Sequence, residues 1–173
     1  MNFDKAFELL IGSEGGYTCD TRDNGNWTGG RPGVGTLKGT KYGISAYSYP
    51  TVDIKNLTLA EAKSLNRRDF WNPLRLDELP ESIRFDLYDL AFNTSAPGQP
   101  DQAVKILQRA LGVTVDGKLG PKTLAAAQAM DGQMLDKRLS AQRLLFLTDL
   151  KPSQWEAFGR GWVRRIANNL MND

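Results

Sequence analysis

Glu14, Asp20 and Asp23 place three carboxylates close together in the chain, and Gly15 and Gly16 follow the first of them directly. A carboxyl kept protonated beside others kept ionised is the arrangement used for glycosidic bond cleavage. The chain contains no histidine. Ser-His-Asp and Cys-His nucleophilic sites are therefore excluded, because no imidazole exists to take the proton. Histidine-bearing zinc sites are excluded as well, and the single cysteine, Cys19, cannot replace them. What remains is chemistry through carboxylates, Lys, Tyr or a hard cation such as Mg²⁺, and the expectation is a site with no metal and no cofactor.

The element that must position Glu14 is an amphipathic helix over residues 3–14. Phe3, Ala6, Phe7, Leu10 and Ile11 follow its period, with Asn2 as N-cap and Gly15 just past the end. Glu14 then lies on the apolar face, at the end where the helix dipole is negative, a place that disfavours a carboxylate by about 0.3–1 kcal/mol. Desolvation and the dipole both push its pKa upward, as a general acid near neutral pH requires. Gly15 and Gly16 leave the approach to the carboxyl clear. An exposed glutamate at a frayed helix end is the plain alternative. Asp23-Asn24-Gly25 is likewise good turn chemistry in its own right.

The rest of the chain reads as mainly α within an α+β class: a helical bundle with one small Gly-rich β-hairpin lobe after the first helix. From Tyr17 to Ser48, glycines punctuate β-prone pieces that Trp27, Val34, Leu37, Tyr42 and Ile44 would anchor. Thr58 and Glu61 form a capping box at the start of a helix running through LNRRDFW. Further helices are expected over Pro80–Asn93, DQAVKILQRALG, PKTLAAAQAM, 132–147 and 153–170. The stripe Trp155, Phe158, Trp162, Val163 and Ile166 has helical spacing and is expected in the core. With its neighbouring arginines it is also a weak candidate for contact with an anionic outer membrane.

A length of 173 residues suits one domain, and 40% hydrophobic with 24% charged residues is ordinary for a soluble globular protein. The net charge of +2 is too weak to suggest nucleic acid. No apolar run approaches the roughly 20 residues a membrane span needs. Asp4, Lys5 and Glu8 argue against a signal peptide at the N-terminus.

EGGYTCDTRD, followed by GTKYGIS, resembles the EGGY…D…D…GG.T.YGI signature of the family 108 glycoside hydrolases, phage endolysins and related bacterial N-acetylmuramidases with a lysozyme-like fold. YDLAFNTSAPGQPDQAVKILQRALG resembles that family's D.A.N.GP…A…LQ segment, and FGRGWVRRI resembles its closing GW..R helix. DGKLGPKT resembles its DG..GP.T turn, which belongs to a predicted peptidoglycan-binding region. The resemblance implies a catalytic lobe over residues 1–95 and a helical region with the peptidoglycan-binding segment over residues 96–173, packed as one lysozyme-like domain.

The same resemblance implies that Glu14 is the general acid for cleaving the β-1,4 bond between N-acetylmuramic acid and N-acetylglucosamine. The spacing from Glu14 to Asp23 also resembles that of the T4-type phage lysozymes, which use a Glu, an Asp and a Thr. Asp23 and Thr40 would then position the attacking water, with Asp20 competing for the acidic role. NGNWTGGRPGVGTLKG extends the lobe beyond the family pattern, so Thr28 competes with Thr40, which is favoured for its GTKYGIS context. Tyr17, Tyr42 and Asn93 carry over as substrate contacts, with core packing the alternative for the tyrosines and a turn cap for Asn93.

The activity so implied is that of a lysozyme-type hydrolase. A lytic transglycosylase using the same Glu14 and a non-catalytic peptidoglycan-binding module are the alternatives. The implied partner is the peptidoglycan glycan strand. Such an enzyme is expected to wait in the host cytoplasm until a holin admits it to the periplasm and cell wall, as in bacteriophage lysis.

Overall fold

Asn2 starts the first helix. Its side-chain oxygen accepts the Lys5 amide at 3.0 Å, and α1 (Phe3–Ile11) buries Phe3, Ala6, Phe7 and Leu10 along one face. The computed structural model describes residues 1–12 and 15–172, and every side chain among them except those at 157, 158 and 172. α1 ends sooner than its periodicity suggests. Gly12, at φ 55°, turns the chain out of the helix while its amide still reaches the Glu8 carbonyl at 3.1 Å. The terminating glycine is therefore Gly12 and not Gly15, because Gly12 takes the left-handed φ that a side chain resists. Glu14 lies outside the described residues, and so does the expectation of a carboxylate on the helix's apolar face.

The Gly-rich lobe carries one 3-10 turn (Asn24–Asn26) and one hairpin, β1 (Thr40–Lys41) with β2 (Ile44–Ser45), registered Thr40 opposite Ser45 and Lys41 opposite Ile44. Ile44 is fully buried, and Trp27, Leu37 and Tyr42 are partly so. Val34 corrects the expected set of anchors, since it is 48% exposed. It folds back onto Gly29 within the lobe's outer loop, where a Cβ on Gly29 would stand only 2.4 Å from Val34 Cγ1.

α2 (Leu59–Asn66) opens on the Thr58–Glu61 capping box and runs into a wide π-type turn, Arg67–Trp71. Asp69, Phe70 and Trp71 are buried in that turn, and the Trp71 ring meets Phe3 at 5.3 Å and Tyr88 at 5.6 Å. α3 (Glu81–Thr94) follows, then α4 (Asp101–Leu111), closed by Gly112 at φ 71°. α5 (Pro121–Ala129) has proline in its first turn, and Asp131 caps α6 (Gly132–Thr148). α6 packs along α3 and α4, and one hydrophobic cluster runs from Phe3 to Leu139.

The expected last helix is interrupted. α7 (Pro152–Gln154) passes through a π-type turn, Trp155–Gly159, into α8 (Arg160–Asn172). The Trp155 ring lies on Gly159, where a Cβ would stand 2.4 Å away. Trp155 is 42% exposed, so this end of the aromatic stripe leaves the core, whereas Ile166 is buried. The architecture is thus mainly helical with one small antiparallel hairpin, the lysozyme-like α+β class. No helix among the described residues is long and apolar enough to cross a membrane.

Candidate active site

The site is built where the chain leaves α1 and meets the hairpin. The Tyr42 amide donates to the Gly15 carbonyl at 3.2 Å, and Thr18 and Thr40 exchange backbone hydrogen bonds at 2.9 Å each. The residue after Glu14 is thereby tied to the strand that carries Thr40. Gly15 is glycine because the Tyr42 ring covers it: a Cβ there would stand 2.8 Å from Tyr42 Cδ1. Gly16 has open space around it. Of the two glycines expected to clear an approach, one is roofed by an aromatic ring.

Tyr42 and Gly43 form the two-residue hairpin turn, at φ 51° and 74°, the mirror-image type whose twist suits a hairpin. A tyrosine in that conformation costs roughly 1–2 kcal/mol and persists only where its surroundings hold it. Those surroundings are Gly15 beneath the ring, the Lys41 ammonium 5.3 Å from the ring centre, and Phe92, whose ring leaves no room for a Cβ on Gly43. Tyr17 is 38% exposed and its ring lies against Gly39. A hydrogen bond with the exposed Cys19 thiol, then desolvation, push the Tyr17 phenol above its ordinary value.

The two candidate aspartates differ in what occupies them. Both oxygens of Asp20 are held by Arg22, whose Nη2 stands 2.7 Å from Oδ2 and whose Nε and backbone amide both reach Oδ1. These bonds lower the Asp20 carboxyl to about 2. Asp23 instead caps the 3-10 turn through Oδ1, which accepts the Gly25 amide at 2.8 Å.

Asn26, which is fully buried, joins the pieces. Its amide nitrogen donates to the Asp20 carbonyl at 3.0 Å, and its Oδ1 accepts the Thr40 hydroxyl at 2.8 Å. Its own backbone amide donates to the Asp23 carbonyl at 3.2 Å, and its carbonyl accepts from Lys38 and Gly39. Asp20, Asp23 and Thr40 thus converge on one buried asparagine. Thr28 does not join them. It braces the outer loop, where its hydroxyl oxygen accepts the Thr36 amide at 2.8 Å, between the paired Trp27 and Leu37.

Asn93 belongs to a different neighbourhood. Its amide donates to the Asp89 carbonyl at 2.7 Å and to Asp89 Oδ1 at 3.1 Å. It lines a cavity of about 20 Å³ with Arg143, Trp162 and Ile166. Behind it sits a buried ionic network that the residue types alone did not announce. Arg143 pairs with Asp86 and reaches Asp89 at 2.6 Å, while Arg165 pairs with Asp89 at 2.5 Å. Asn169 donates to Asp86 at 2.9 Å. Burial pushes the Asp86 carboxyl up, and the Arg143 charge opposes it. A signal for this network exists in α6, where Arg143 interrupts an apolar row of Leu135, Leu139 and Leu147 at four-residue spacing.

DGKLGPKT is stapled from beneath. Gln108, buried in α4, accepts the Asp116 and Gly117 amides at 3.0 and 2.9 Å and donates to Asp116 Oδ1 at 2.7 Å. Every polar atom of that side chain is spent on the turn, so the motif has a structural role here.

Comparison with known proteins covers both halves. Residues 7–94 match the model described as glycosyl hydrolase 108, and residues 102–167 match the one described as a predicted peptidoglycan domain. The solved structure of Brucella abortus SagA is similar at 30% identity over 96% of this chain and 90% of that one, with a TM-score of 0.78. No curated protein matches. The first match runs from within α1 through the Gly-rich lobe with its Asn26 junction to the end of α3, and the likeness to SagA covers 96% of the chain, so the chain belongs to the glycosyl hydrolase 108 family.

Proposed function

We propose that this glycoside hydrolase is a muramidase that cleaves the N-acetylmuramic acid to N-acetylglucosamine β-1,4 bond of peptidoglycan. In this reading Glu14 gives its proton to the glycosidic oxygen. Asp23 takes a proton from the attacking water, and Thr40 holds that water. The observation that carries the reading is the junction at Asn26. The Thr40 hydroxyl hydrogen is committed to Asn26 Oδ1, so the lone pairs of Thr40 Oγ1 are left to accept from water. Asp23 keeps Oδ2 outside its turn bond, whereas Arg22 occupies both oxygens of Asp20, which favours Asp23 as the base. Tyr42 and Tyr17 serve as sugar-facing rings beside Gly15 and Gly39. Asn93, engaged by Asp89, acts in positioning.

Residues 1–95 and 96–173 work as one lysozyme-like unit in this proposal. Release to the cell wall depends on a holin, and the partly exposed Trp155 gives α7 and α8 a weak grip on the outer membrane.

Glu14→Gln tests the chemistry. The variant is expected to lose at least about 10²-fold of its lytic rate on chloroform-treated Gram-negative cells, the usual contribution of a general acid. Full activity in that variant sinks the assignment. Mass spectrometry of digested sacculi reads the reaction type: reducing ends support hydrolysis, and 1,6-anhydro ends identify a transglycosylase instead.

A further inference from the structure

α8 meets α1 and α3 across an open groove of about 320 Å³ that the chemistry above does not use. Leu9 and Phe85 form its apolar wall, and Gly161, Arg164 and Arg165 its opposite wall. Asp89 is the one acidic group in the lining, and Arg143 and Arg165 already neutralise it. Arg164 is exposed and has no ion-pair partner among the described residues. Arg165 is engaged through Nη1, which leaves its Nη2 edge. The groove therefore offers guanidinium groups in excess of carboxylates, set beside an exposed leucine.

Its position matters as much as its charge. Leu9 lies two residues before the end of α1, about 3 Å along the axis at 1.5 Å per residue, so the groove reaches the last turn of that helix. One wall comes from the segment that matches the glycosyl hydrolase and the other from the segment that matches the peptidoglycan domain. The groove is concave, so it admits an extended chain and not a flat membrane.

We propose that this groove binds the acidic peptide branch that peptidoglycan carries on its muramic acid residues, with Arg164 and Arg165 pairing its side-chain and terminal carboxylates. The planar guanidinium fork matches a carboxylate, and Leu9 packs against the aliphatic part of the branch. Substrate choice then depends on the branch as well as on the sugar. The inference rests on the muramidase reading, since the branch is carried by the muramic acid residues of the strand that reading makes the substrate.

The test compares intact sacculi with sacculi whose peptide branches an amidase has removed. Arg164→Gln is expected to raise KM on intact sacculi about tenfold, the size expected for one charge-assisted hydrogen bond, and to change KM on stripped glycan less than about twofold. Cosedimentation of Glu14→Gln and of Glu14→Gln/Arg164→Gln with both preparations gives a readout that needs no turnover: only the intact material should lose binding. An equal loss on both substrates, or no loss on intact sacculi, overturns the proposal. A wild-type protein that releases no new glycan ends from either substrate sinks the muramidase reading, while the binding comparison still decides on the groove.

Discussion

Tyr42 covers Gly15: its amide donates to the Gly15 carbonyl at 3.2 Å, and its ring leaves no space for a Cβ on that residue. The hairpin turn is thereby clamped to the chain segment next to Glu14. Tyr42 accepts a left-handed backbone to make that clamp.

Gly15→Ala therefore has to push the Tyr42 ring aside. Overpacking of this kind costs about 1–3 kcal/mol. The lytic rate should fall about tenfold or more, with a lower Tm, because the hairpin carrying Thr40 moves with the ring. Gly16→Ala, in open space, should keep both values near wild type. Equal behaviour of the two variants in a thermal melt and a sacculus assay would remove the clamp from the account.

Asn26→Ala takes away the acceptor of the Thr40 hydroxyl, while the Asp20 carbonyl keeps the Asp23 amide at 3.2 Å. A partly buried hydroxyl left unpaired costs about 1–3 kcal/mol. For a chain of this size about 2 kcal/mol lowers Tm by roughly 4–8 °C. Activity should fall further than stability, because Thr40 loses the bond that orients it. Thermal denaturation and a rate measured well below Tm separate the two effects.

Arg22→Gln removes the forked partner of Asp20. The carboxyl, now near 2, should rise toward its ordinary value of 3.8. A lowered acid pKa contributes stability that is present above the unfolded value of 3.8 and lost as pH falls toward 2. The variant should consequently be slightly less stable than wild type at neutral pH and converge on it as the pH falls toward 2. Carbon NMR titration of the Asp20 carboxyl reads the shift directly, and an unmoved value contradicts the Arg22 assignment.

Arg143→Met leaves Asp86 buried without its counter-charge, while Asp89 keeps Arg165. Breaking such a pair costs about 3–5 kcal/mol. The sign with pH is specific. Burial already pushes the Asp86 carboxyl up, and losing the Arg143 charge that opposes it raises it further, so the deficit is largest at neutral pH and shrinks as acid protonates Asp86. Denaturant melts at pH 7 and pH 4.5 should show the gap to wild type narrowing in acid.

The helices could be read from the sequence because each announces itself locally. Thr58 with Glu61, Pro121 and Asp131 start helices through caps that need no distant partner. The end of α1 was misplaced for an equally local reason. Ile11 continues the apolar period and Gly15 reads as the stop, but Gly12 adopts a φ that ends the helix first. The candidate site was legible as residue types and not as a junction. Asn26 sits inside NGNW, which reads as an ordinary turn, and only the fold shows that it touches Asp20, Asp23 and Thr40 at once. Asp86 and Asp89 were hidden likewise, because the arginines that make them tolerable lie far along the chain.

That separation has a consequence for synthesis. Arg143 follows Asp86 by 57 residues, and Asn169 follows it by 83. A ribosome working from the N-terminus delivers α3 with two acids facing inward long before α6 and α8 can neutralise them. The early half of the chain is therefore poorly suited to close on its own, and the last helix to emerge completes its core. The hydrolase is therefore complete only once α8 has been made.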